Sequence, residues 1–181
     1  MTYLEKTPKG RGELVLYLDY DGVLHHENVR VSHKYGPYIQ APERYVLFQH
    51  AELLAEMLAP YPDVEIVLST SWAVNYGVTE SAKRLPGALQ ERVIGATFHS
   101  RHMRRDEFRD MHRGQQVIAD VVRRQPRDWI ALDDDGEGWG THAHHHVLTH
   151  MYEGLSDPEV LAMFKQKLQA MCKPPKREPK K

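Results

Sequence analysis

Asp19 and Asp21 stand two apart in the run LDYDG, directly after the apolar stretch LVLYL. On an extended backbone alternate side chains point the same way, so both carboxylates can face one ligand. At ~5 Å they repel by about 3 kcal/mol at an effective dielectric of about 20, and Asp133, Asp134 and Asp135 would add to this. Such a group calls for a cation. An oxygen-only donor set without a supporting cysteine cluster points to Mg²⁺ rather than zinc. Gly22 lets the chain turn sharply and leave its amides open to an anion, and LSTSW supplies the hydroxyls of Thr70 and Ser71. Metal, amides, hydroxyls and a nearby basic residue together suit a phosphoryl group.

Taken singly, each feature has a plainer reading. D-x-D-G can be a solvated acidic turn, Ser69-Thr70-Ser71 a strand end that caps the next segment, and the three acids at 133–135 a surface turn. Placement favours a joint site, because each group follows its own short apolar run, and such runs suit buried strands. Between and beyond them, apolar spacing predicts helices over 44–58, 79–85, 115–124 and 158–171, with prolines at 60, 62 and 86 as stops and Pro158 in a first turn. Further strands are expected over 92–98 and 146–149. Strands alternating with helices imply an α/β fold with a mostly parallel sheet covered on both faces. Ligands of such sheets sit outside the carboxyl ends of the strands, where all three groups fall. Residues 25–42, rich in His, Tyr and Gly, read as a flap or loop over the site. One domain is expected over 1–172, followed by a basic flexible tail over 173–181.

Composition narrows the partners. Lys and Arg number 24 against 25 Asp and Glu, a formal charge of -1, so no global field draws the protein to nucleic acid or anionic lipid and any such partner needs a local patch. A hydrophobic fraction of 41% is enough for a packed core. The single cysteine, Cys172, excludes an internal disulfide and a multi-cysteine zinc site, and it fits a reducing compartment, with the cytoplasm expected. No apolar run approaches bilayer length, so no membrane partner is expected.

At these residues the chain resembles the haloacid dehalogenase (HAD) superfamily: LDYDGVL looks like its first motif, LSTSW its second and WIALDDD its fourth. RVIGATF, RGQQVIADVV before WIALDDD, and GLS before the last helix are similar to the HAD domains of Swiss Army Knife RNA repair proteins. The resemblance implies a Rossmann-like sheet, no large cap domain, and Mg²⁺-dependent phosphoryl transfer through a phosphoaspartate. It makes Asp19 the nucleophile and a metal ligand. Asp21 becomes the proton donor and later base, with its backbone carbonyl on the metal. Thr70 would bond the transferring phosphoryl beside Ser71, and Asp134 would bind metal with Asp133 beside it, the triple acid leaving the register open by one. The superfamily usually offers a lysine in its third motif. Here Arg113 takes that place, with Lys83 as the competing candidate.

The run HSRHMRRDEFRDMHR, residues 99–113, holds five arginines and three acids. It reads either as a loop, with Arg104 and Arg105, that receives a phosphorylated substrate, or as an exposed salt-bridged segment. Trp72, Tyr20 and Trp139 can stack a base or simply pack. The histidines at 142, 144, 145, 146 and 150 suit an exposed edge or turn better than a zinc site, since strand alternation would split them between faces. The sequence thus leads to a phosphohydrolase acting on a phosphorylated small molecule, nucleotide or nucleic-acid end. The rival is a catalytically silent module on the same fold that recognises a phosphorylated partner.

Overall fold

A computed structural model describes residues 7–173; the tail expected over 173–181 lies, beyond its first residue, outside them. The chain runs from β1 (Leu14–Leu18) through a hairpin of β2 (Val29–Ser32) and β3 (Gly36–Ile39) to α1 (Ala51–Leu58) and β4 (Val64–Leu68). Three short helices follow, α2 (Ser71–Tyr76), α3 (Val78–Ala82) and α4 (Gly87–Gln90), then β5 (Val93–Ala96), α5 (Arg105–Asp110) and α6 (Arg113–Arg124). β6 (Asp128–Asp133), a 3₁₀ turn over Gly140–His145, β7 (His146–Leu148) and α7 (Pro158–Met171) complete it.

The five-stranded sheet has the order β5-β4-β1-β6-β7 and every pairing in it is parallel. β1 lies at its centre, and its alternation divides the core. Leu14, Leu16 and Leu18 pack with Leu54 and Leu58 of α1 and Phe164 of α7. Val15 and Tyr17 face the other way, onto Val117 of α6, Trp129 and Trp139. Each fully buried leucine contributes roughly 2 kcal/mol, so the site is carried on a rigid platform. This is the Rossmann-like α/β architecture with helices on both faces. Between β1 and α1 there is only the small hairpin, so the described residues include no large cap.

Two expectations give way to tertiary contacts. The helix read over 44–58 starts only at Ala51, because Phe48 takes a left-handed φ of 60°. Its ring packs at 5.2 Å from Tyr20 and 5.4 Å from Trp72, and these contacts outweigh the helical spacing around it. The loop read over 25–42 contains the β2–β3 hairpin, with Arg30 opposite Tyr38 and Gly36 at φ 75° where the chain reverses. α7 keeps its expected bounds, with Asp157 accepting the backbone N–H of Glu159 and Val160 and Pro158 as first residue.

Candidate active site

β1, β4 and β6 end in register, Leu18 pairing with both Leu68 and Leu132. The ladder runs one step further, with Asp19 N donating to Leu132 O at 3.1 Å and Ser69 N to Leu18 O at 2.9 Å. Asp19, Ser69 and Asp133 therefore stand side by side at the carboxyl edge. Beyond Asp133 the chain folds back over β1, so that ligand oxygens of Asp19, Asp133 and Asp134 lie within 4.8 Å of one another. Gly22 makes this approach possible. Its φ is 70°, and a Cβ there would collide with the Asp134 carboxylate.

Arg113, the first residue of α6, reaches into the group. Its guanidinium stands 3.4 Å from Asp19 Oδ2 and 3.2 Å from Asp133 Oδ2, and it donates to the Ser69 carbonyl and, at 3.3 Å, to Gln116 Oε1. Two glycines place it there. Gly114 and Gly138 press backbone to backbone, and a Cβ on Gly114 would overlap the Gly138 carbonyl. Gly114 N donates to Glu137 O at 3.0 Å, and Trp139 Nε1 to Asp135 O at 2.8 Å, locking the acidic loop against α6.

The electrostatics are unbalanced: three carboxylates surround one guanidinium. Burial, then the neighbouring acids, push Asp133 well above the usual carboxylate range, and burial raises Asp19 despite Arg113. Asp134 is pushed up to about 7 by burial, Asp19 and Glu27. Arg113 Nε is close to Asp133 Oδ2 but misaligned, and that buried oxygen has no hydrogen-bond partner. An orphaned buried carboxylate oxygen is costly unless something else satisfies it. The all-oxygen donor set fits Mg²⁺, which binds through one or two carboxylates and completes its shell with water and phosphate.

The other expected residues divide. Thr70 is buried beside the group and caps α2, accepting the Trp72 N–H at 3.3 Å; Ser71 is exposed at the first turn of that helix. Asp21 is not part of the close group of Asp19, Asp133 and Asp134 oxygens, and accepts a hydrogen bond from Trp72 Nε1 at 2.8 Å. Trp72, read as either stacking a base or packing, is buried at 3% exposure, as the packing alternative requires. Tyr20 and Trp139 are likewise core residues, and Tyr20 spends its hydroxyl on Ser81 O. Lys83 does not enter the site: it is exposed on the turn after α3, bound to Glu80 at 2.7 Å. Arg104 and Arg105 lie exposed at the start of α5, where Arg104 pairs with Asp106 and Glu107. Of the histidines, His142, His144 and His145 lie in the 3₁₀ turn and His146 opens β7. His145 and His146 stack on Trp129 and Trp139 at 4.2 and 4.1 Å and bond backbone carbonyls. Sequence reasoning passed over His25, Phe48 and the Gly114–Gly138 contact; only the glycines in HRG and GEGWG gave a local signal.

The family model described as "HAD domain in Swiss Army Knife RNA repair proteins" matches residues 15–160, a span holding every residue of this site. The chain belongs to that family. No curated protein and no solved structure matches it.

Proposed function

We propose that this member of the HAD family is a Mg²⁺-dependent phosphohydrolase that works through a phosphoaspartate on nucleotide or nucleic-acid phosphate ends. The observation that carries the reading is the surplus of buried carboxylates at one strand edge, with Asp133 Oδ2 unpartnered among them. Asp19, Asp133, Asp134 and the Asp21 carbonyl would hold the ion. When bound, Mg²⁺ would offset negative charge on both carboxylate and phosphoryl, which otherwise repel.

Asp19 attacks phosphorus, forming one P–O bond as the bond to the leaving oxygen breaks. Asp21 gives that oxygen its proton and then takes one from the water that attacks the aspartyl phosphate, releasing phosphate and restoring Asp19. Arg113 keeps its charge at any working pH and can hold a phosphoryl oxygen as a lysine would. Thr70 and Ser71 supply hydroxyls at the same edge. The small hairpin leaves room for a bulky substrate, and the family's RNA repair description favours nucleic-acid ends. A reducing compartment such as the cytoplasm suits a chain with one cysteine.

The test is hydrolysis of a chromogenic phosphate ester with and without Mg²⁺, repeated on Asp19→Asn. Wild-type turnover that requires Mg²⁺ and is lost in the variant is expected. Equal rates in the two proteins would end the enzyme reading and favour a silent binding module.

A further inference from the structure

Asp21 is gripped at one oxygen by two donors, one four residues along the chain and one 51 residues away. Trp72 Nε1 donates to its Oδ1 at 2.8 Å, and His25 Nε2 lies 3.0 Å from the same atom. The other nitrogen of the imidazole decides which tautomer this is. His25 Nδ1 stands 3.1 Å from the backbone N–H of Phe48 and accepts it, so Nδ1 carries no proton. A neutral ring then has its proton on Nε2 and donates it to Asp21. His25 has no exposed surface, and its ring lies edge-on to Phe48 at 4.8 Å and Trp72 at 6.1 Å. Phe48 adopts its left-handed backbone while making that contact, a conformation that persists only where surroundings impose it.

We infer that His25 and Trp72 are positioning residues that saturate Asp21 Oδ1, fix the plane of the carboxylate, and leave Oδ2 as the oxygen that exchanges protons with leaving group and water. Among the described residues no protein group hydrogen-bonds Oδ2, and the Asp21 side chain retains 29% exposure. The inference rests on the reading of Asp21 as proton donor and acceptor. A freely rotating carboxylate would present either oxygen in many orientations, whereas proton transfer needs one within hydrogen-bond reach of the reacting atom.

A role in proton transfer and a role in packing differ in what they do to different leaving groups. An alkyl phosphate needs its leaving oxygen protonated; a 2,4-dinitrophenyl phosphate does not. The experiment measures kcat/KM, which reports the first half-reaction, on both esters for wild type, Trp72→Phe, His25→Leu and His25→Gln. Trp72→Phe keeps the ring and removes the N–H, and His25→Gln can restore a donor near Nε2. The alkyl ester should lose roughly 10- to 100-fold in Trp72→Phe and His25→Leu, the dinitrophenyl ester less than about 3-fold, with partial recovery in His25→Gln. The ratio of the two esters cancels any loss of folded protein. Equal losses on both esters, or none on either, overturn the inference alone, as does a ¹⁵N spectrum showing the His25 proton on Nδ1. A wild-type protein silent on both esters overturns the phosphohydrolase reading and the inference with it.

Discussion

Two clusters of buried charge share helix α6 and differ in how they are resolved. Near its middle, Asp120 accepts hydrogen bonds from Tyr17 at 2.9 Å, Arg123 at 2.6 Å and Arg124 at 2.7 Å, with His99 at 3.2 Å. Two guanidiniums face one carboxylate. Burial opposes ionisation there, yet His99, Arg124 and Arg123 hold Asp120 below the usual carboxylate range. At the start of the same helix, Arg113 alone faces Asp19, Asp133 and Asp134, and those acids are raised. A buried carboxylate faced by a surplus of cations specifies structure; a cluster of acids short of positive charge suits an ion that arrives from outside.

The sharpest way to break this contrast is to remove one acid from each cluster. Asp19→Asn should cost roughly 10⁴-fold or more in turnover, while leaving the metal-free protein at least as stable, since it removes a charge its neighbours repel. Asp120→Asn should do the reverse. Unpairing the buried Arg124 guanidinium costs about 3–5 kcal/mol of stability, and turnover per folded molecule should stay within a few-fold of wild type. Urea titrations paired with the ester assay separate the two. If both substitutions destabilise alike, the distinction between the clusters is lost.

The same contrast shows how far the residues alone could be read. Motifs at strand ends were legible because a short apolar run predicts both the strand and the edge where it opens, which is how Asp19, Thr70 and Asp133 were placed together. Arg113 was singled out by the family resemblance, as the basic residue before a helix read over 115–124, and Lys83 stood as its competitor; the structure starts that helix at Arg113 itself. The partners of Asp21 were not. His25 lies in a segment read as a loop, and Trp72, whose indole N–H reaches Asp21, packs on Phe48, which leaves the helix its spacing suggests. No local pattern announces a contact between residues 23 apart that depends on a backbone N–H. The Asp120 network was equally hidden, since nothing in the helix read over 115–124 singles out Arg123 or Arg124, while Arg124 is 2% exposed.

A gentler test supplies the missing charge. Mg²⁺ at about 100 times its dissociation constant should stabilise the protein by about 2.7 kcal/mol, a rise in melting temperature of roughly 5–10 °C for a chain of this size. Asp134→Asn and Asp19→Asn should blunt the rise, and Asp120→Asn should retain it from a lower starting point. An equal rise in all four proteins would place the ion elsewhere.

The smallest effect concerns pH without metal. The folded-state value of Asp134 near 7 lies above its ordinary value of 3.8. Such a group contributes stability fully present below the unfolded value and lost as pH rises through about 7. Asp120 has the opposite sign: its contribution is present above the unfolded value and lost only in strong acid, so it is constant across this window. His50, His145 and His146 also titrate here, all held low by burial, and they destabilise the fold as pH falls below their ordinary 6.5. Total stability therefore mixes opposing slopes, and the informative quantity is wild type minus Asp134→Asn in chelator, where the histidine contributions cancel. From pH 5 to pH 8 that difference should fall by about 1–2 kcal/mol after allowing for partial solvent screening, read as a relative drop of roughly 2–8 °C in melting temperature. Saturating Mg²⁺ should flatten it, because an ion already compensates the charge that deprotonation would expose. A difference that is flat without metal would mean that the acidic cluster is relaxed by solvent, and the contrast with Asp120 would then be one of exposure and not of charge balance.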